Sequence, residues 1–161
     1  MAKVTKIKSS THWVEKMKKP AAPVAEVLEE QKGPIYPPGR MLIATPVAID
    51  EVIRTIPKGE LLTSSKLRNK LAAMYNADYA CPMTTGIFLR IVGEYAEEQR
   101  TSGVKDIAPY WRVVRDDGSL IDKLPGGINH QAALLANEGF TFKPKGKNNL
   151  LVKDFTLHLL D

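Results

Sequence analysis

The stretch TTGIFLRIVGEYAEE, residues 84–98, decides the fold. At 100° per residue, a helix over these residues gathers the large apolar side chains on one broad face. That face comprises Ile87, Phe88, Ile91, Val92 and Tyr95, with Leu89 and Ala96 at its edge. The opposite stripe reads Gly86, Arg90, Gly93 and Glu97. The sequence therefore predicts an amphipathic helix from Thr84-Thr85 to about Glu98.

The arginine between two glycines on that stripe is unusual. Each glycine costs a helix about 1 kcal/mol relative to alanine. One reason to accept this cost is the close approach of another backbone or of a phosphate chain. Two interpretations stay open at this point. Either the helix lies against a ligand with Arg90 reaching into it, or Arg90 pairs with Glu94 or Glu97 in solvent.

Two shorter helices precede this one. Thr45 is placed to cap a helix that begins at Pro46 and turns Val47, Val52 and Ile53 towards a core. A turn at residues 56–59 ends it, and Thr63-Ser64-Ser65 offer hydroxyl caps for a helix from Lys66 to Tyr75. Three short helices in succession are compatible with a helix-turn-helix core, although many all-α domains share that pattern.

The second half of the chain adds short β segments and one more helix. Residues 108–114 look like a strand, and the run Asp116-Asp117-Gly118-Ser119 predicts a turn after it. A fourth helix is expected from Asn129 to Asn137, with Gly139 just past its end. Phe140, Phe142 and the apolar residues of 150–159 are expected to form a wing-like hairpin. The predicted fold class is mainly α with a small β element.

Residues 1–40 are expected to be an N-terminal extension, and residues 41–161 one folded domain, with a short strand at Met41 to Ala44. Proline and glycine interrupt the extension at residues 20–23 and 33–39. A short helix at residues 11–19 would carry Trp13 and Met17 on one face, and a tryptophan in such a segment predicts packing back onto the domain.

The charge is concentrated in this extension. The whole chain carries a formal charge of +5. Residues 1–40 hold eight Lys/Arg against four Glu, which leaves 15 basic against 14 acidic side chains in residues 41–161. Binding of a phosphate backbone by the domain therefore requires local clustering of basic side chains rather than bulk charge.

Several classes of protein are disfavoured by the composition. No stretch approaches the ~18 to 20 continuous apolar residues of a membrane span, and we expect neither a signal peptide nor contact with a membrane. Cys81 is the only cysteine, which excludes an internal disulfide and favours a reducing, cytoplasmic compartment. The three histidines show no ligand spacing, so we expect no metal and no cofactor.

Six short motifs, read together, resemble the DNA alkylguanine alkyltransferases. In chain order they are Ile56-Pro57-Lys58-Gly59, Thr63-Ser64-Ser65, Arg90-Ile91-Val92-Gly93, Pro109-Tyr110-Trp111-Arg112-Val113 with Asp117-Gly118, Gly126-Gly127, and Leu134-Leu135-Ala136-Asn137-Glu138-Gly139. Each motif alone is weak, but the ordered set spans residues 46–140 at compatible spacing. The resemblance implies the winged-helix-like, helix-turn-helix C-terminal domain of that family.

The resemblance also implies a role for individual residues. In the family, the third helix enters the minor groove, an arginine replaces the damaged base, and the flipped base meets a cysteine activated by a histidine and a glutamate. Arg90 corresponds to that arginine and Glu138 to that glutamate, and Gly93 would allow close approach. The implied DNA-binding residues are Thr63, Ser64, Ser65, Gly86, Arg90 and Gly93. The implied lesion pocket comprises Pro109, Tyr110, Trp111, Arg112 and Glu138.

The departures from the family decide the chemistry. Tyr110 stands at the cysteine position and Trp111 at the histidine position. A phenol with a pKa near 10 is a poor nucleophile at pH 7, and no neighbouring group would activate it. Ser64 also replaces the tyrosine that helps to rotate the nucleotide. Tyr110 and Trp111 either stack on a flipped base or fill a vestigial cavity.

The chain therefore looks like the alkyltransferase-like proteins, which replace the cysteine with tryptophan and bind lesions for other repair machinery, although those proteins keep the histidine. We expect a non-catalytic protein that binds damaged or distorted duplex DNA, with alkylated guanine as a candidate lesion and repair proteins as candidate partners. The alternative is a structural or protein-interaction module that retains the fold without DNA binding. An enzyme using Cys81 or Tyr110 lacks an activating group.

Overall fold

A computed structural model of the protein describes residues 12–160, which contain five helices and several short strands. The helices are α1 (residues 12–17), α2 (Pro46–Ile53), α3 (Ser64–Met74), α4 (Pro82–Thr101) and α5 (Gly127–Ala136). The strands are β1 (Val24–Leu28), β2 (Gly39–Ile43), β3 (Leu62–Thr63), β4 (Tyr79–Ala80), β5 (Val113–Val114), β6 (Phe142–Lys145) and β7 (Asn149–Val152). The predicted class, mainly α with small β elements, is confirmed.

Hydroxyl caps set the start of two helices. The Thr45 hydroxyl accepts the Ala48 N–H at 3.0 Å, as predicted, and Pro46 occupies the first turn of α2. The Thr63 hydroxyl accepts the Lys66 N–H at 3.3 Å, so α3 begins at Ser64, two residues earlier than predicted.

The start predicted for α4 was wrong. The helix begins at Pro82, and Cys81 precedes it without a side-chain cap. Pro82 can take this place because a proline in the first turn gives up no intrahelical hydrogen bond. Thr84 and Thr85 therefore lie inside the first turns of α4, and the helix runs on to Thr101, beyond the predicted end at Glu98.

Three small sheets surround the helices. β2 pairs with β1 in antiparallel and with β4 in parallel orientation, and the register places Val24 opposite Ile43. This pairing joins residues on both sides of position 40. β3 pairs in parallel with β5, and β6 and β7 form the predicted antiparallel hairpin. The second strand of the hairpin was expected to continue to residue 159, but a 3-10 turn forms instead at Phe155–His158.

The strand predicted over residues 108–114 was largely wrong. Pro109 has no N–H to donate to a ladder, and the Tyr110 N–H bonds locally to the Ala108 carbonyl at 2.8 Å. A 3-10 turn therefore forms at Tyr110–Arg112, and only the two residues of β5 pair with a neighbouring strand.

The main core lies between α2, α3 and α4, and a second cluster lies beneath α5 and the hairpin. The predicted apolar face of α4 was partly wrong, because Ile87 is exposed whereas Leu89 and Gly93 are buried. α4 packs against α2 and also against the turn at Tyr110–Arg112, so its buried surface extends around the helix. In α2, Val47 is exposed, contrary to the prediction, and Ala48 and Ile49 are buried in its place.

None of the helices in residues 12–160 combines the length and the apolar character needed to cross a membrane.

Candidate nucleic-acid interface

The side chain at the cysteine position is part of the core. Tyr110 is fully buried, and its hydroxyl donates to Glu97 Oε2 on α4 at 2.6 Å. Its ring meets the Trp111 ring edge to face, with 5.4 Å between the centroids. Burial raises the pKa of Tyr110 far above its usual value, and the hydrogen bond to the Glu97 carboxylate raises it further. The phenol therefore stays protonated and is inaccessible to a substrate.

Trp111 and Glu138 meet, as the resemblance implies for the residues at the histidine and glutamate positions. Trp111 Nε1 donates to Glu138 Oε2 at 2.7 Å, and Arg112 Nε donates to both carboxylate oxygens at 2.9 and 3.1 Å. The Gly59 N–H adds a further bond to Glu138 Oε1 at 2.9 Å. Burial opposes ionisation of Glu138, but these donors outweigh it and lower the pKa. Protein donors thus engage both oxygens of the carboxylate.

The two glycines of α4 have different surroundings. A Cβ atom added at Gly93 would lie 2.8 Å from Pro125 Cδ and 3.2 Å from Tyr110 Cδ2. The close approach that requires glycine at this position is therefore internal packing. A Cβ added at Gly86 would meet no atom within 4 Å. Gly86 faces open space, where a ligand backbone has room to approach.

Of the two interpretations left open for Arg90, the structure shows the pairing with Glu94. Its Nε lies 3.6 Å from Glu94 Oε2, yet the side chain remains 54% exposed. Its guanidinium carbon also lies 5.9 Å from the centre of the Trp13 ring. An ion pair at this distance and exposure is weak, so Arg90 remains available to an incoming anion.

A cleft of about 590 Å³ opens around Arg90, between α1, the first halves of α3 and α4, and residues 115–124. Five basic side chains line it: Lys16, Arg68, Arg90, Arg115 and Lys123. Among residues 12–160, no aspartate or glutamate lines the cleft. Arg115 is partly neutralised by Asp122, with 3.1 Å between the charged groups. The apolar part of the lining includes Trp13, Met83, Ile87 and Ile121.

The fold has counterparts among solved structures. S. pombe Atl1, in complex with damaged DNA containing O6-carboxymethylguanine, matches with a TM-score of 0.51 and 12% sequence identity. A structure of S. pombe ATL in complex with DNA matches with a TM-score of 0.53 and 13% identity. Each match covers 72% of this chain and 94% of the other. This chain folds like an alkyltransferase-like protein.

At this level of identity the likeness concerns the fold alone. No protein-family model and no curated protein sequence matches the chain. The resemblance stated from the sequence motifs is therefore confirmed for the fold.

Within this alkyltransferase-like fold, the predicted site residues separate into two groups. Ser64, Gly86 and Arg90 line the cleft. The other predicted residues lie outside the cleft. Thr63 is a buried helix cap, and the Ser65 N–H donates to Asp116. The remaining residues are either buried, as are Gly93, Pro109 and Tyr110, or belong to the cluster of Trp111, Arg112 and Glu138.

The sequence motifs did not indicate Lys16, Arg68 or Lys123. These residues come from three separate segments and share no linear pattern, so only the folded chain brings them together. Arg68 and Lys123 make no ion pair within residues 12–160, which leaves their charges available.

Cys81 lies in a small buried cluster outside the cleft. Cys81 is buried with Leu28 and Met41, and its sulfur lies 3.7 Å from the Tyr36 hydroxyl. Within residues 12–160 no group of three or more His, Cys, Asp or Glu side chains is arranged to hold a metal ion.

Proposed function

We propose that this protein is a non-catalytic, winged-helix-like DNA-binding protein that recognises damaged or distorted duplex at the cleft beside Arg90. The observation that carries the proposal is the convergence of five basic side chains, without a lining carboxylate, on one open cleft. Solved structures of similar fold are complexes with DNA, one of them with O6-carboxymethylguanine. Alkylated guanine is the lesion class to test first, and repair proteins are the proposed partners in the cytoplasm.

Local charge supports this function better than total charge does. Residues 41–161 are almost neutral as a whole, but phosphate groups respond to the potential of the surface they approach. Arg68, Arg90 and Lys123 come from different elements and point to one cleft. Such a cluster fits a phosphate backbone, and Gly86 leaves room for it next to α4.

Catalysis by alkyl transfer does not fit the side chains present. Tyr110 is fully buried and bonded to Glu97, and its raised pKa keeps the hydroxyl protonated. Trp111 donates its only N–H to Glu138 and has no basic nitrogen that could activate a nucleophile. The proposed role is recognition.

A protein-interaction module is the second candidate, and one observation favours it. Met83 and Ile87 on α4 are 60% and 52% exposed and line the cleft. Apolar side chains of this size, surrounded by cations, also suit an acidic amphipathic peptide.

Binding of short fluorescent duplexes distinguishes the two candidates. Duplexes with and without O6-alkylguanine are titrated with the wild type and with Arg68→Ala, Arg90→Ala and Lys123→Ala over a range of salt concentrations. Lys105→Ala is the matched control, because Lys105 is an exposed lysine beyond the far end of α4. A helix of this length separates its ends by roughly 30 Å.

We expect lesion-preferring, salt-dependent binding, with each cleft variant weakening it. Each lost phosphate contact should reduce the slope of log affinity against log salt by about 0.9. The control should bind like the wild type. Duplex affinity that is absent, or that all three cleft variants leave unchanged, would refute the proposal and favour the protein-interaction module.

A further inference from the structure

α1 places two side chains in the same cleft as Arg90. Trp13 and Lys16 both line it, and Met17, one turn after Trp13, packs against the main core. Residues at i and i+4 lie on one face of a helix, so the contact of Met17 with the core fixes the side of α1 that carries Trp13. The N-terminal segment thus supplies a wall of the cleft.

This wall leaves the rest of the cleft open. Arg90 is 54% exposed beside the Trp13 ring, Met83 and Ile87 stay more than half exposed, and a Cβ added at Gly86 would meet no atom within 4 Å. A segment that blocked the cleft would bury these groups. The position of α1 therefore fits a contribution to ligand binding and argues against an inhibitory plug.

The chemistry of the wall fits an unpaired nucleotide. The centre of the Trp13 ring lies 5.9 Å from the Arg90 guanidinium and 5.6 Å from Lys16 Nζ. Proteins hold single-stranded nucleic acid in positively charged grooves whose aromatic side chains stack on the bases, and arginine adds cation–π contacts there. The indole offers the largest surface for such stacking.

Building on the proposed DNA binding, we infer that Trp13 is the stacking surface for an unpaired base that leaves the duplex, and that Lys16 contacts the adjacent phosphate. Recognition then depends on a residue outside the motifs that resemble the alkyltransferases. Trp13 gives preference for a duplex with an extrahelical base, and the basic side chains of the cleft give affinity for any duplex.

The test uses the full-length protein and two duplexes that differ only in one unpaired, bulged nucleotide. Affinities are measured by anisotropy for the wild type, Trp13→Ala, Trp13→Phe and Val14→Ala. Val14 is the matched control, because it is the exposed neighbour of Trp13 on α1 and does not line the cleft. Tryptophan emission is recorded in parallel, since a stacked base quenches the indole.

We expect the wild type to prefer the bulged duplex and to lose emission on binding it. Trp13→Ala should bind the bulged duplex between about 5-fold and about 150-fold more weakly, the range that corresponds to stacking of one base. Its affinity for the paired duplex should not change. Trp13→Phe should retain most of the preference without the loss of emission, and Val14→Ala should match the wild type.

Four results would overturn the inference. If the wild type binds both duplexes equally, Trp13 has no role in recognising the unpaired base. The same holds if Trp13→Ala weakens binding to both duplexes equally. Either result leaves the proposed function intact. Trp13→Phe that behaves like Trp13→Ala would exclude stacking as the cause. Absence of binding to either duplex would refute the inference and the proposed function together.

Discussion

Alanine placed at Gly86 and at Gly93 separates helix propensity from packing in α4. The two positions are seven residues apart, so they lie on nearly the same side of the helix, and each substitution gains up to about 1 kcal/mol of propensity. At Gly93 the new methyl group would lie 2.8 Å from Pro125 Cδ and 3.2 Å from Tyr110 Cδ2, whereas at Gly86 it meets nothing within 4 Å. Neither the proline ring nor the buried, hydrogen-bonded tyrosine can move away easily.

The propensity gain is common to both variants, so the difference in their stability isolates the cost of the contact. Forcing an extra methyl group into a packed core costs about 1–3 kcal/mol. Gly86→Ala should therefore be more stable than Gly93→Ala by about 1–3 kcal/mol. For a chain of this size, each kcal/mol corresponds to roughly 2–4 °C in Tm.

Urea denaturation followed by far-UV circular dichroism measures both variants against the wild type, and equal m-values would confirm that the comparison is valid. Gly93→Ala that proves as stable as Gly86→Ala would show that Gly93 is not packed against Pro125 and Tyr110. The glycine would then be free to face a ligand, and the internal role argued here for Gly93 would be wrong.

Two further predictions concern Glu138 and Tyr110, which the resemblance places at the glutamate and cysteine positions of the alkyltransferases. Glu138→Ala should lower the free energy of unfolding by about 3–5 kcal/mol, because Arg112, whose side chain is 14% exposed, would lose its buried partner. Since the pKa of Glu138 is lowered, its contribution is complete above the unfolded value of about 4.3 and is lost as pH falls through the folded value. Urea midpoints of the wild type should therefore fall as the pH is lowered below the unfolded value, and those of Glu138→Gln should fall less steeply. Tyr110→Cys should accept no labelled methyl group from O6-methylguanine duplex, because position 110 is buried and Trp111 is not a base; stoichiometric labelling of the protein would contradict this.

The sequence predicted those parts of the fold that local chemistry determines. Thr45 and Pro46 specify the start of α2 because a hydroxyl cap and a proline in the first turn are both local features. The β6–β7 hairpin follows from apolar residues on either side of a turn-forming run. The motif order also predicted the meeting of Trp111 with Glu138 across 27 positions, because that pairing belongs to the family it resembles.

The contacts of individual side chains depend on long-range packing, so the local sequence could not predict them. In the sequence, Gly86 and Gly93 are equivalent positions on one stripe of the helix. In the structure, the segment after β5 places Pro125 against Gly93 and not against Gly86. Whether Tyr110 would meet a ligand or fill a cavity depended on Glu97, whose carboxylate accepts its hydroxyl. The basic cleft required Lys16, Arg68 and Lys123 to converge from three segments.

The acidic residues of α4 show why charge has to be summed over each surface of the folded protein and not along the sequence. In the sequence, Glu94, Glu97 and Glu98 weigh against a DNA-facing C-terminal half of this helix. In the structure, Glu97 binds the Tyr110 hydroxyl at 2.6 Å and also lies 3.0 Å from Arg100 Nε and 3.2 Å from His130 Nε2. Burial disfavours the charge of Glu97, but these hydrogen bonds lower its pKa and keep it ionised.

The Glu97 carboxylate therefore stabilises the core around Tyr110. None of the three glutamates lines the cleft, and Glu94 reaches it only through its weak pairing with Arg90. The buried Tyr110 hydroxyl requires an acceptor, and the Glu97 carboxylate provides it. The buried contacts of Tyr110 therefore leave the positive surface beside Arg90 intact, so a core residue at position 110 is compatible with the proposed DNA binding.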